Sequence, residues 1–247
     1  IGIRFRQLTK TSYPETPKGD QTSLDDQVRT QYGVYVGMEY TVGDFIYRVT
    51  AIDSITSGRT KLIGVVAAKK SKLTKVTVPN TANFKGYGLN VTEVGDNAFK
   101  AMKKLKKVTF GANVKVIGKA AFSNCKKLNK INFKNVTTIG NNAFAGCKAL
   151  KKLTIGSKIT TIGKNAFKKC TKLKTVVIGK SVKTIKAKAF TKDNKIKKIT
   201  FKGKKLKTVK KNALSSKVKK NIKAKKTKLK GNKKAIKVFK KNLKSGK

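Results

Sequence analysis

Residues 137–156 read TTIGNNAFAGCKALKKLTIG, and the same pattern returns along most of the chain. Aligned on the Ala-Phe pair, six copies bring one large apolar residue to the same slot: Phe99, Phe122, Phe144, Phe167, Phe190 and Leu214. The spacings between successive copies are 23, 22, 23, 23 and 24 residues. So constant a period indicates stacked structural repeats.

A second pattern follows the Phe in each copy. In the quoted stretch it consists of Cys147, Leu150, Leu153 and Ile155. The alternation from Leu153 to Ile155 predicts a strand with one buried face, while Ala-Phe-x-x-Cys-x-x-Leu has the spacing of a tight turn across the coil. One coil cannot bury both sets alone. We therefore predict an α/β repeat solenoid whose coils stack in register around a parallel β-sheet.

The motif I-G-x-x-A-F-x-x-C-x-x-L-x-x-V-x-F resembles the BspA-type leucine-rich repeat of bacterial surface and secreted proteins. The resemblance covers residues 73–216 and implies a leucine-rich repeat ribbon of about six coils. It departs from the motif at Lys186 and Lys210, which replace Gly, and at Asp193 and Lys217, which replace Cys. The last two coils are therefore expected to be less regular. The family also implies a secreted or cell-surface location and adhesion to protein or glycan ligands.

The segments before the repeats lack the period. Residues 1–30 contain Pro14 and Pro17 among Thr, Ser, Gln and Asp, and they are predicted to form an extended arm or linker. Residues 31–72 alternate apolar and polar residues around Gly-containing turns, which predicts a small antiparallel β cap over the first coil.

The segment after the repeats, residues 217–247, is dense in lysine. Ile236, Phe239 and Leu243 follow one another at spacings of three and four, which favours a short amphipathic element that closes the last coil. A frayed basic tail is the alternative, because so many like charges repel one another.

The net charge of +52 is unevenly distributed. Nine of the ten acidic residues lie between Glu15 and Asp96, only Asp193 follows, and every basic residue beyond Asp96 is Lys. The positive electrostatic field of these lysines attracts polyanions in a salt-dependent way.

No apolar run is long enough for membrane insertion. No signal-peptide pattern opens the sequence, but since it starts at Ile1 rather than Met, this says little about export.

The sequence contains few residues of the types that carry out catalysis or bind metal ions. There is no His, and acidic groups are nearly absent from the repeats. Asp44, Asp53, Glu93 and Asp96 are assigned surface or turn roles. We therefore predict a chain that is not an enzyme and needs no metal or cofactor.

The cysteines share one repeat slot. Cys125, Cys147 and Cys170 are equivalent to Met102, so they are expected to stack in one column about 5 Å apart. An odd number of thiols in a repeated apolar slot favours buried free cysteines over a disulfide.

One candidate binding site remains, on the outward positions of the strands. The residue before the buried Val or its equivalent is Lys75, Lys107, Lys130, Lys152, Thr175 and Lys198 in successive coils. The residue after it is Thr77, Thr109, Asn132, Thr154, Val177 and Thr200. A single in-register sheet would align these as two columns over about 25 Å. The predicted ligand-binding residues are Lys75, Lys107, Lys130, Lys152, Lys198, Thr109, Thr154 and Thr200.

Two interpretations of these columns stay open. The lysines are either a solubilising coat or a surface for an extended anionic partner, such as an acidic glycan, a teichoic acid or an acidic protein. Nucleic acid is expected to bind only nonspecifically, because no Arg follows Arg59 and no exposed aromatic platform is predicted. The function predicted is a noncatalytic extracellular or cell-surface binding module. A structural spacer or a self-assembling filament component is the alternative.

Overall fold

The structure, a computed structural model, describes residues 23–54, 57–65, 72–210, 212–224 and 226–244. Its elements, in chain order, are α1 Leu24–Tyr32, β1 Glu39–Val42, β2 Phe45–Ile52, β3 Ser57–Val65, β4 Lys75–Val78, β5 Thr81–Phe84, β6 Tyr87–Val94, β7 Lys107–Phe110, β8 Val116–Ile117, β9 Lys130–Asn132, β10 Thr138–Ile139, β11 Lys152–Thr154, β12 Thr161–Ile162, β13 Thr175–Ile178, β14 Thr184–Ile185, β15 Lys198–Phe201, β16 Thr208–Val209, α2 Ser216–Lys223, β17 Lys228–Gly231 and α3 Lys233–Lys244.

Each coil contributes one strand to each of two faces that enclose a shared core. We call the face built from β4, β7, β9, β11, β13, β15 and β17 the lysine face. The other face contains β6, β8, β10, β12, β14 and β16 in one continuous parallel run. Equivalent residues lie side by side there, as Ile139 does between Ile117 and Ile162. The predicted leucine-rich repeat solenoid with parallel strands is confirmed.

A stack of phenylalanine rings forms the centre of the core. The rings of Phe99, Phe122, Phe144, Phe167 and Phe190 follow one another with centroid distances of 4.9, 5.2, 5.4 and 5.5 Å and interplanar angles of 2–7°. All five side chains are buried. Because each ring contacts the ring of the next coil, every coil supplies part of its neighbour's interior.

Glycine after the isoleucine of the motif allows the coils to approach closely. A Cβ atom on Gly163 would lie 2.5 Å from the carbonyl oxygen of Gly140, which is too close for any side chain. Lys186 occupies this slot in the next coil, yet its backbone N–H still donates to the carbonyl of Ile162 at 2.9 Å. The ladder therefore continues through this departure from the motif.

The N-terminal cap joins the solenoid through its last strand. Strands β1, β2 and β3 are antiparallel, and β3 then pairs in parallel with β6 of the first coil. Strand β5 folds back on β6 as a hairpin. The edge of β6 is thereby covered, which prevents that edge from pairing with another chain.

A helix precedes this cap, where an extended arm was predicted for residues 1–30. Helix α1 begins after Ser23, whose side chain accepts a hydrogen bond from the backbone N–H of Asp26 at 3.2 Å. Val28 is fully buried, so the helix packs on the cap through this side chain. The extended interpretation is wrong for the helical part, because a capping serine followed by two acidic residues starts a helix. The first 22 residues lie outside the described ones.

The C-terminal segment forms a closing cap rather than a frayed tail over the residues described. Helix α2 leads into β17, which pairs in parallel with β15, and α3 follows. Phe239 of α3 is buried, and its ring centroid lies 5.0 Å from that of Phe201 in β15. The apolar spacing that favoured a closing element thus reflects a helix packed on the last coil.

The cysteine slot forms a buried column along the solenoid. The thiols of Cys125, Cys147 and Cys170 each donate to the carbonyl of the phenylalanine in the preceding coil, at 3.0, 3.3 and 3.4 Å. Burial raises the pKa of Cys125 to about 12 and raises that of the other two thiols well above the ordinary value. Thiols in this state are poor nucleophiles and behave as small apolar residues.

Asp193 occupies the next position in this column. Its side chain is fully buried, and neither carboxyl oxygen has a partner in hydrogen-bonding geometry among the described residues. Burial raises its pKa from 3.8 to about 8, and the nearby backbone amide of Cys170 offsets part of the rise. A charged carboxylate is therefore unfavourable here, because nothing replaces its lost hydration.

Truncation of the central ring tests the importance of the stack. Phe144→Ala is expected to lower the free energy of unfolding by about 3–5 kcal/mol, because it removes contacts with the rings of Phe122, Phe133 and Phe167 and leaves a cavity. Phe144→Leu should cost less, since it retains more of the buried volume. Urea unfolding followed by circular dichroism measures both. Equal, small losses from the two variants would contradict a stack that stabilises neighbouring coils.

Ionisation of Asp193 makes stability depend on pH. Because folding raises this pKa from 3.8 to about 8, the stabilising contribution of the protonated carboxyl is present below the unfolded value and is lost as pH rises through about 8. At about 1.4 kcal/mol per pKa unit, the loss is on the order of 5 kcal/mol. Asp193→Asn cannot ionise. Urea unfolding between pH 4 and 9 should show a steeper decline for the parent chain, and parallel profiles would contradict the assignment.

Candidate functional site

The lysine face carries columns of exposed ammonium groups set by strand register. Lys107 pairs with Lys75 on one side and with Lys130 on the other. In the second part of the face, Lys198 lies two strands from Lys152, with Thr175 of β13 between them. All of these lysines are exposed, while the residues that alternate with them contribute to the core. The pairing places Lys75, Lys107 and Lys130 on adjacent strands about 5 Å apart.

A second column, mainly of threonine, runs beside the lysines. The hydroxyl oxygens of Thr77 and Thr109 lie 3.1 Å apart, and the Thr109 hydroxyl also donates to the carbonyl of Val76 at 3.4 Å. Thr154 and Thr200 belong to the other part of the face, two strands apart. These hydroxyls can accept or donate hydrogen bonds to a ligand that spans neighbouring coils.

The predicted columns do not form one continuous ladder. Strands β4, β7 and β9 make one sheet, whereas β11, β13, β15 and β17 make another, so Lys130 and Lys152 are not ladder partners. The expectation of a single sheet over all coils is therefore wrong at this junction. The lysine face presents two shorter columns instead of one.

The break coincides with a one-residue shortening of the sequence. Phe133 and Val136 are three positions apart, whereas the equivalent residues of the following coil, Ile155 and Ile159, are four apart. Strands β9 and β11, on the two sides of the break, each have three residues. The single spacing of 22 in the repeat period was the signal for this irregularity.

On the lysine face, the glycine contacts show a wider separation of the backbones at this junction than at the next one. A Cβ atom on Gly156 would find its nearest neighbour, the Cβ atom of Phe133, 3.1 Å away. A Cβ atom on Gly179, one coil further, would lie only 2.2 Å from the carbonyl oxygen of Gly156. The backbones thus approach less closely at the break than at the next junction.

Strand β17 extends the second column beyond the predicted repeats. Lys228 pairs with Lys198, and Lys230 pairs with Thr200. The period did not reveal this strand, because α2 is inserted before it and separates Lys228 from Lys198 by 30 residues. The alternation Lys228-Leu229-Lys230 was the only available signal, and it is too short to identify a strand.

The acidic residues of the described chain do not neutralise the lysine face. Glu39 and Asp53 pair with arginines of the N-terminal cap, and Glu93 pairs with Lys61 at 3.1 Å. Asp96 accepts a hydrogen bond from the backbone N–H of Lys119 at 2.6 Å. For Asp53, Glu93 and Asp96 these are surface and turn roles, as expected from the sequence. No ion pair among the described residues involves a lysine of the columns.

Repulsion within the columns has a cost. Two ammonium groups about 5 Å apart repel by about 1 kcal/mol in water, before screening by salt. An anionic ligand would remove this repulsion in addition to forming its own contacts.

The described residues contain no group of three or more His, Cys, Asp or Glu that could hold a metal ion. In the same parts of the chain, no helix has the length and apolarity that a bilayer span requires.

A search of curated proteins found no match. Among solved structures, a leucine-rich cell surface protein from Faecalibacterium prausnitzii is similar, with 25% identity and a TM-score of 0.54. The match covers 71% of this chain and 51% of that protein, so this chain spans about half of its length. A leucine-rich repeat protein from T. pallidum matches with 22% identity and a TM-score of 0.57, covering 83% of this chain and 96% of that one. The second likeness concerns the fold alone.

A family model gives the more specific result. The model for the BspA type Leucine rich repeat region matches in six copies over residues 90–226, which is more than half of the chain. The matched residues include the phenylalanine stack and the cysteine column described above. This chain therefore belongs to the BspA-type leucine-rich repeat family.

Proposed function

We propose that this chain is a noncatalytic binding module that acts at the bacterial cell surface or in a secreted protein, and that its lysine face binds an extended anionic partner. One observation carries the proposal: exposed lysines lie in register along two sheets without an acidic counterpart on that face in the described chain. Its field would raise encounter rates with polyanions, and its regular spacing would suit a polymer with repeated charges.

The partner is expected to be a linear polymer rather than a small anion. Neighbouring positions of each column are one strand separation apart, about 4.8 Å, and Thr175 takes one position between Lys152 and Lys198. A single phosphate or carboxylate would therefore contact only part of a column. An acidic glycan, a teichoic acid and an acidic protein segment all offer anionic groups in series. The threonine hydroxyls beside the lysines would add hydrogen bonds that depend on the orientation of the ligand.

Binding without catalysis is supported by the residue types available. The sequence has no His, and the buried thiols have raised pKa values. A surface location is supported by the name of the F. prausnitzii relative, a cell surface protein.

Removal of one column at a time tests the proposed binding surface. Two variants, Lys75→Gln/Lys107→Gln/Lys130→Gln and Lys152→Gln/Lys198→Gln/Lys228→Gln, each remove the charges of one lysine column. Each is expected to weaken binding of wall teichoic acid or poly-glutamate by about tenfold and to reduce the salt dependence of the affinity. Isothermal titration at two salt concentrations measures both effects.

A matched variant separates the columns from general charge. Lys104→Gln/Lys127→Gln/Lys172→Gln removes the same charge from exposed positions on the turns after the Met102 and cysteine slot. It should weaken binding much less than either column variant. If all three variants lose the same affinity, the lysines act only as a diffuse positive coat and the proposed site is wrong.

A further inference from the structure

A groove separates the two helices of the C-terminal cap. Its volume is about 780 Å³, and the residues that line it include Lys219, Lys220, Ile222 and Lys223 of α2 and Lys240 and Leu243 of α3. We call it the C-terminal groove. Neither strand columns nor repeat turns contribute to these lining residues, so the groove is distinct from the lysine face.

The apolar floor of the groove is separate from the side chains that fix the helices. Val218 of α2 and Ala235 and Phe239 of α3 are fully or almost fully buried against the last coil. Ile222 and Leu243 also touch the core but remain half-buried. The two helices thus leave aliphatic surface in a concave site after completing the cap.

The rim of the groove carries uncompensated positive charge. Lys219, Lys223 and Lys240 surround the aliphatic floor, and the sequence has no acidic residue after Asp193. In this terminal part of the described chain, no ion pair neutralises them. A ligand that combines negative charge with an apolar side chain would complement both features at once.

We propose that the C-terminal groove binds an acidic segment of a partner protein that inserts a large aliphatic side chain between Ile222 and Leu243. Carboxylates on the segment pair with the surrounding lysines. This mode is that of an amphipathic peptide in an apolar groove, where anchors provide affinity and charges provide orientation.

Other macromolecules fit the groove less well. A bilayer surface requires apolar side chains that protrude, yet the exposed large apolar residues of the described chain are Leu24 and Val36, both near the N-terminus. A nucleic acid would contact the lysines through phosphates and would leave the aliphatic floor unused. The concave apolar floor therefore favours a protein segment.

A pair of fluorescein-labelled peptides tests the proposal with the full chain. The first is a short acidic peptide with two leucines four positions apart, and the second has serine in place of both leucines. Fluorescence anisotropy at physiological salt should give an affinity about tenfold higher for the leucine peptide, since burial of a leucine is sufficient for that ratio. Equal affinities would overturn the proposal.

Two groove variants locate the binding. Ile222→Ser/Leu243→Ser should abolish the preference for leucine over serine, whereas Lys219→Gln/Lys223→Gln/Lys240→Gln should weaken both peptides. The lysine variant keeps the apolar packing, so it gives a valid test if the serine variant fails to fold. The turn variant Lys104→Gln/Lys127→Gln/Lys172→Gln is the matched control for charge. Equal weakening by this control would overturn the assignment to the groove.

Two further measurements distinguish the groove from other sites and partners. The column variant Lys152→Gln/Lys198→Gln/Lys228→Gln should leave the preference for the leucine peptide unchanged. If this variant lost the preference, the peptide would bind to the lysine face and not to the C-terminal groove. Phosphatidylserine vesicles and a single-stranded DNA oligonucleotide serve as competitors. If either is bound more tightly than the leucine peptide in a groove-dependent way, the partner is not an acidic protein segment.

Discussion

Sharing of buried side chains between successive coils is the constraint on which the rest of this structure depends. The rings from Phe99 to Phe190 contact one another across coil boundaries, so no coil contains a complete core of its own. The buried Val and Ile residues of both faces extend the same principle. Such a solenoid is held together by nearest-neighbour interfaces, and its ends must be closed by different structures. The β cap at one end and helices α2 and α3 at the other provide that closure.

The same arrangement accounts for the unusual surface. Register fixes the outward residues of each strand in columns, and because those positions are lysine in most coils, like charges stand side by side. Their repulsion opposes the packing that creates them. The chain tolerates this repulsion between lysines because every coil adds the same set of buried apolar contacts. A positively charged exterior on an apolar stack is therefore a consequence of the repeat itself, and it leaves the lysines available to an anionic partner.

Departures from the repeat have different consequences according to where the residue points. Lys186 replaces a glycine at a close backbone approach but remains exposed, and the ladder continues beside it. Asp193 replaces a cysteine that points inward, so it becomes a buried carboxyl with a raised pKa. A single missing residue between Phe133 and Val136 coincides with the division of the lysine face into two sheets. The repeat thus tolerates changes at its surface more readily than changes in its spacing or its core.

The amino-acid sequence by itself determined the repeat, the buried slots and the outward lysines, because side-chain direction follows from strand alternation and the period is visible over six copies. It also offered a closing element that contains Phe239, with a frayed tail as the alternative. Only the tertiary structure decided the break between β9 and β11, the extra strand β17 and the groove between α2 and α3. These features depend on how closely neighbouring backbones approach and on where an inserted helix returns the chain. Neither quantity is encoded in the local pattern of apolar and polar residues.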